Sequence, residues 1–333
     1  MAAVTGTSSS YSVAAAGGNR EDLEDTIHEL FADENYFTGS FDKVKASGTL
    51  HEWLGDELAA PGSNIAIEGN DSTFATIANP ARYSNYLQIL EKTFVVSETQ
   101  DVVAKAGRRS EVGRQAVKKM REAANDLEYA IARNQAGTAG SASVGRSMAS
   151  IESWIGATAA SSTVATQVVL STTTAGATTA PVASGTPAAA PTDGTTTAAL
   201  TEVDLKLALE SNYNNGSMTD VIVVAGTAKN YINAFTGIAT RNVDVGRTSQ
   251  GSITGAADLY VSNYGVHRIV LHRHVRSTVA LCLDPSLWAI ATLRGWSSTP
   301  LAKTGDAKKR LINCEKTLVC RNPKGNAKVV AIA

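Results

Sequence analysis

The sequence predicts an α+β fold shared between two lobes, and three features carry that reading. They are a chain of 333 residues, one long amphipathic helix over 110–135, and β-rich stretches on either side of it bounded by turn signals. A chain this long exceeds what a single compact core usually organises. The helix follows from Val112, Ala116, Met120, Ala123, Leu127 and Ile131, which recur at spacings of three and four. Arg114, Lys118, Arg121, Glu122 and Glu128 fill its other faces. Ser110 is placed to cap its start and Gly137 to end it. At the α-helical rise it would run about 40 Å, long enough to be the beam of one lobe.

Ahead of the helix, the first 19 residues are small and polar and read as an arm. Residues 20–31 follow with Leu23, Ile27 and Leu30 at helical spacing. Residues 51–101 hold two β-rich stretches, 64–68 and 86–96. Pro61-Gly62, Gly69-Asn70-Asp71 and Asn79-Pro80 lie between them as turn signals. This pattern predicts a long, open hairpin. An isolated hairpin is marginal in water, so Trp53, Phe74, Leu87, Ile89 and Phe94 need cover. Either the chain's own core or a neighbouring copy could supply it.

Beyond the helix, residues 157–200 are low in complexity: Ala, Thr, Ser, Gly and Pro, with Asp193 as the one charge. Residues 164–170 could pair as a strand, and the rest reads as a surface loop. Thr201 and Asp204 have the spacing of a capping box, with Leu205, Ala208 and Leu209 facing inward. The apolar run 221–224 suits a central strand. Gly226-Thr227 turns into a further helix with Tyr231, Ala234 and Phe235 on its buried side. Residues 237–255 are glycine-rich and predict a loop. Over 267–281, Ile269, Leu271, Val275, Val279 and Leu281 predict a strand with a basic outer face. Residues 303–310 form a polar turn between β-rich stretches, preceded by Trp288, Leu293 and Trp296.

Composition excludes several classes. With 43% hydrophobic and 18% charged residues the chain is foldable. A net charge of −1 lacks the basic excess of a protein that grips nucleic acid. No apolar run approaches the length of a membrane span, and the start lacks the basic opening of a signal peptide. The sequon at Asn70 is then a chance match. Cys314 and Cys320, six apart on one strand face with Ile312 and Leu318, would stand about 20 Å from each other. They cannot bond within the strand, so buried thiols and a reducing compartment are expected. There is no G-x-S-x-G elbow, no phosphate-binding loop and no C-x-x-C pair. His272 and His274 could open a metal site, but a solvated or interface role is favoured because no carboxylate or thiol shares their strand. The Lys303, Lys308, Lys309 and Arg310 cluster could bind nucleic acid, but such a run is more often an exposed loop, and contact with acidic groups of another subunit is the favoured reading.

Several segments, in order and across nearly the whole chain, resemble the SU10-type major head proteins of tailed phages. They are Asn19-Arg20-Glu21-Asp22-Leu23; Glu52-Trp53 with Asp56, Leu58, Asn64 and Glu68-Gly69; Tyr86-Leu87-Gln88-Ile89-Leu90 with Lys92 and Thr99-Gln100; and Glu152-Ser153-Trp154-Ile155. Near the C-terminus come Leu283-Asp284-Pro285 with Trp288, Leu293-Arg294, Leu301-Ala302-Lys303-Thr304-Gly305-Asp306, Lys309-Arg310 and Glu315-Lys316-Thr317-Leu318. The match fades over 157–200.

The resemblance implies an HK97-like fold. It divides the chain into an N-terminal arm (1–47), an extended-loop hairpin (48–100), a peripheral domain (101–138 and 266–333) with its spine helix over 110–135, and an axial domain (139–265) containing the insertion 157–200. It implies a structural shell protein without cofactor or metal. Such a protein assembles with itself as hexamers and pentamers around double-stranded DNA, which it binds without sequence specificity, and has no membrane partner. A portal and decoration proteins are the other expected partners. Too little chain precedes the hairpin for a cleaved scaffolding segment, so a separate scaffold, or none, is expected. No Lys, Asn and Glu trio for covalent cross-linking is identified. The expected inter-subunit contacts are Trp53, Phe74 and Phe94 on the hairpin, and Lys303, Asp306, Lys308 and Arg310 at the turn. An encapsulin-like nanocompartment is the second reading, a secreted surface protein the third, and an enzyme the last. If the insertion is a surface loop, deletion within 172–197 leaves the subunit folded by circular dichroism; unfolding would mark the segment as core.

Overall fold

The computed structural model describes residues 35–58, 61–65, 67–69, 71, 74, 76–77, 79–103, 107, 109–155, 169–170, 184–188, 190, 198–235 and 259–333. The expected helix over 20–31, the glycine-rich loop over 237–255 and most of the insertion lie outside these residues.

Three sheets organise the described chain. The first has four strands in the order β1 (Asp42–Lys45), β10 (Trp288–Pro300), β11 (Ala307–Cys320) and β4 (Gln88–Ser97). β10 and β11 form a long antiparallel hairpin, β4 pairs antiparallel with β11, and β1 runs parallel to β10. The second sheet has six strands in the order β5 (Val169–Leu170), β12 (Ala327–Val329), β9 (Ala280–Leu283), β6 (Val221–Val224), β8 (Gly265–Leu271) and β7 (Leu259–Ser262). The third is the two-stranded hairpin β2 (Leu50–Gly55) and β3 (Ala81–Tyr86).

The long helix α3 spans Glu111–Ala132, and the Ser110 hydroxyl accepts from the Gly113 N–H as its N-cap. Its first half, with Val112 and Ala116, packs on Phe94, Val96, Ile312 and Trp296. Its second half buries Leu127, Ala130 and Ile131 in the main core. The helix stops before Gly137, because Arg133 turns extended. Gly137 serves close approach instead: a Cβ there would lie 2.5 Å from Thr186 Cγ2.

On the six-stranded sheet, helix α5 (Glu202–Asn214) starts with the expected capping box between Thr201 and Asp204. Leu205, Ala208 and Leu209 pack there on Ile222, Val224, Ile269 and Cys282. β6 is buried at every position, as a central strand should be. Helix α6 (Gly226–Asn233) follows and buries Ala228 and Ile232; of the expected residues Phe235 is buried and Tyr231 packs against the same core, while Ala234 is exposed.

Three expectations need correction. The stretch over 64–68 forms no strand in its described residues; β2 is the hairpin's outgoing strand. The stretch over 86–96 is divided, since Tyr86 ends the hairpin and β4 belongs to the body sheet. The stretch over 267–281 is two strands, because β8 and β9 lie on opposite sides of β6 and the chain must loop over 272–279 to pass between them. Of the insertion, β5 pairs with β12, and residues 184–187 are no free loop: Gly185 exchanges backbone hydrogen bonds with β3, and Gly137 N–H donates to the Pro187 carbonyl.

The three cysteines are free and buried. Burial pushes the Cys282 thiol up to about 12 and Cys314 to about 11. Buried charges tie the lobes together. Glu315 on β11 meets Arg146 and Arg294. Glu152, in the short helix α4 (Ile151–Ile155), accepts from Arg276 Nε and Nη2. Its carbonyl accepts from the fully buried Lys328 ammonium at 2.9 Å.

Glu128, expected on a solvated helix face, is fully buried. Its carboxylate accepts from the N–H groups of Phe37 and Thr38, capping the short helix α1 (Tyr36–Ser40) from a distant part of the chain. His272 Nε2 lies 3.3 Å from the same carboxylate, and its Nδ1 accepts from the His274 N–H. The latter bond assigns the Nε2 proton to Glu128.

Two outcomes follow from these buried polar groups. Glu128→Gln places an amide N–H₂ against backbone donors, and should cost about 2–4 kcal/mol in denaturant unfolding. An unchanged midpoint would remove Glu128 as the anchor of α1. The second concerns His267, which bridges Thr219 O and Ser262 Oγ. Burial lowers its pKa, only partly offset by the Thr219 carbonyl and Asp220; burial lowers His51 as well. The unfolded chain therefore takes up protons first. Stability is present above about pH 6.5 and lost as pH falls through the depressed folded value. His267→Gln should flatten the decline between about pH 7 and 5 in melting curves; an equally steep decline would exclude His267 as a contributor.

Candidate assembly surfaces

The hairpin is rooted firmly and free at its tip. At its root, the Trp53 indole donates to the Cys320 carbonyl at 2.9 Å and packs against Trp154 and Tyr83. Asn85, fully buried on β3, donates to the Leu318 carbonyl at 2.7 Å and accepts from the Ala149 N–H at 2.9 Å. Tyr83 is buried in the main core. These bonds fix the direction in which the hairpin leaves the body.

The tip is different. Leu58 is 100% exposed, Phe74 99%, and Ile65, Ile67 and Ile77 are also open to solvent. Burying side chains of this size is worth about 1.5–3 kcal/mol each. Among the described residues nothing covers them, and large apolar side chains left exposed in one loop mark a candidate interaction site.

The second surface is the turn between β10 and β11. Gly305 takes a φ of +78°, which a side chain would strain, and a tight reversal follows. Helix α2 (Glu98–Val102) lies beside it, capped by Ser97. Lys303 pairs with Glu98 at 2.7 Å and Lys308 with Asp101 at 2.8 Å. Each lysine holds its partner carboxyl below the usual range, chiefly by hydrogen bonding, and Asp101 raises Lys308 in return. Exposed pairs of this kind contribute little to stability. Their effect is to hold the turn against α2 and present Asp306 and Leu301 outward. Arg310 lies near Ser298 on the adjoining strand.

The expected contact residues therefore fall into three groups. Phe74 stands free at the tip. Lys303, Asp306, Lys308 and Arg310 gather at the turn. Trp53 and Phe94 are covered by the chain itself: Trp53 at the hairpin root, and Phe94 under α3 with Val96 and Ile312. The choice between own core and neighbour thus goes to own core for these two. The reason is that β4 lies in the body and the hairpin root is short. Of the tip residues, Leu58 enters the sequence reading only through the resemblance and Ile65 and Ile67 only as strand formers; none of these, nor Ile77, is among the expected contacts. Their signal was present as large apolar residues among turn formers.

His272 and His274 are close, with ring centroids 5.6 Å apart, but His272 is turned into Glu128. Among the described residues no group of three metal-ligating side chains occurs. Among the same residues no helix is long and apolar enough to cross a membrane.

Comparison with known proteins agrees with this architecture. The family model described as SU10 major capsid protein matches residues 3–333. The major capsid protein of Escherichia phage Phieco32 is 30% identical over 122 residues, a match spanning 36% of this chain and 35% of that protein. The Cyanophage A-1(L) capsid subunit superposes with a TM-score of 0.65 at 13% identity, over 94% of this chain and 97% of that one. A native GTA particle capsid subunit gives 0.59 at 11% identity, over 96% and 98%. At such identities the solved structures speak for the fold alone, which is HK97-like. These matches do not favour the nanocompartment reading. The chain belongs to the SU10 major capsid protein family.

Proposed function

We propose that copies of this chain assemble as hexamers and pentamers into the icosahedral head that encloses the double-stranded DNA of a tailed phage. The observation that carries this reading is the hairpin: rigid at its root, and apolar and uncovered at its tip. A side chain such as Phe74 cannot fold back onto a body whose geometry the hairpin root has fixed, so a second copy supplies its cover. The arm over 1–47, the extended loop over 48–100, the peripheral domain over 101–138 and 266–333, and the axial domain over 139–265 are the corresponding divisions, with β4 a part of the body in spite of its place in the chain. The turn bearing Lys303, Asp306, Lys308 and Arg310 meets its equivalents where capsomers join. There the intrachain pairs with Glu98 and Asp101 keep its two lysines ordered and partly neutralised, so that like charges can come together.

The near-neutral chain suits an enclosure that holds DNA without tight binding. Assembly takes place in the host cytoplasm, where buried thiols stay reduced. A portal, and where present a scaffold or decoration protein, complete the particle.

The test is expression followed by electron microscopy. Ile65→Ser with Phe74→Ser should lower the yield of closed shells about tenfold or more and leave melting within about 0.5 kcal/mol of the parent, since both residues are exposed. Trp53→Ala is the control; it removes packing and a hydrogen bond at the root, and should itself destabilise the subunit by about 2–4 kcal/mol. Normal shells from the double tip variant would overturn the hairpin's role. A parent chain that stays monomeric at high concentration would overturn assembly itself.

A further inference from the structure

Helix α5 is apolar on two sides. Leu205, Ala208 and Leu209 face the six-stranded sheet, but Val203 and Leu207, one helical turn apart, point outward at 65% and 48% exposure. Glu210, three residues further on, is exposed beside them. The reverse side of the same lobe carries a second uncovered patch. In the β7–β8 pair, Leu259 stands opposite Arg268 and Val261 opposite Val266. All four are exposed, because Tyr260, His267 and Ile269 occupy the other face, and Tyr260 and Ile269 reach the core under α5. The main core covers this side of the sheet further along, at Val221, Val223 and Leu281, and takes in Val270 but not the outer pair.

The two patches therefore lie on opposite sides of one helix-on-sheet layer. Because they face opposite ways, a single two-fold contact can cover one patch but leaves the other bare. A head-to-tail contact covers both and repeats from copy to copy until the ring closes. Charge supports the same pairing, with an acid beside the α5 ridge and a base beside the β-face. Arg268 already lies over the Tyr36 ring, donating to its hydroxyl at 3.1 Å, so its guanidinium is held at that edge.

Building on the assembly reading above, we propose that the Val203–Leu207–Glu210 ridge of one copy docks on the Leu259, Val261, Val266 and Arg268 face of the next, with Glu210 set against Arg268. This is the contact that joins neighbours within one ring, and it is separate from the hairpin tip and the β10–β11 turn.

Two measurements test it. The native thiols are buried, so new surface thiols can be followed alone. In assembled particles, a chain carrying both Leu207→Cys and Val261→Cys should give, on oxidation, a disulfide ladder that ends at the size of the ring. Either single variant should give no covalent dimer. A dimer from a single variant would mean a two-fold contact, and no cross-link in intact shells would mean that another occupant, such as a decoration protein, covers these faces; both overturn the proposal. In the second measurement, Glu210→Arg or Arg268→Glu should lower shell yield about tenfold, and the two together should restore it. Full yield from each single charge reversal would sink this contact and leave assembly standing, whereas failure of the parent chain to form shells would sink the assembly reading itself.

Discussion

Trp154 sits where the three sheets meet, and the burial of its helix is the constraint on which the arrangement rests. All five residues of α4 are buried. The Trp154 ring touches Trp53 and Tyr83 from the hairpin, and shares a core with Trp288, Ile290 and Leu318 of the four-stranded sheet and with Val221, Leu281 and Val330 of the six-stranded lobe. The two lobes thus share one core on this face of the six-stranded sheet, while the face under α5 keeps its own. Polar groups lock the same junction: Glu152 takes Arg276 from the 272–279 loop, and its carbonyl takes Lys328 from β12. Breaking such a buried pair on one side is costly because the remaining charge stays dehydrated. The junction therefore resists movement between lobes, which suits a subunit of a container.

Rigidity at this junction gives the exposed elements their directions. The hairpin leaves the body along a line set by Trp53, Asn85 and Tyr83. The root of the arm leaves along a line set by Glu128, which replaces the missing side-chain cap of α1. The β10–β11 turn is held to α2 by two exposed ion pairs. In each case a buried or paired polar group fixes an angle, and the surface that the angle presents is left exposed. A shell needs this division. In the proposed assembly each contact would recur many times, so a small error in a projecting element would be multiplied, whereas the contacts themselves can be built from many modest apolar burials.

Periodic patterns proved readable wherever an element lies on one surface. The α3 stripe, the α5 capping box and the β6 apolar run each formed at the expected place, since helix and strand periods follow from backbone geometry and need no partner. Glu128 shows where such reasoning ends. By spacing it belongs to a solvated face; it is buried because α1 and His272, far apart in sequence, both bring donors to it. Likewise the alternation read over 267–281 is genuine in β8, whereas β9 is buried at every position. Nothing local records that β6 lies between them.

Composition, period and turn chemistry thus determined an α+β chain, a long capped helix, a hairpin and buried cysteines, while the family was legible only as a resemblance of ordered motifs. They could do so because each depends on near neighbours in sequence or on sums over the chain. Only the tertiary structure decided which apolar residues the molecule shelters for itself and which it leaves bare. Trp53 and Phe94 are covered, while Leu58 and Phe74 are not, although all four are large and apolar. The difference comes from long-range packing: whether a side chain meets water depends on what distant strands are brought over it, and that is a property of the assembled layers, not of its own segment.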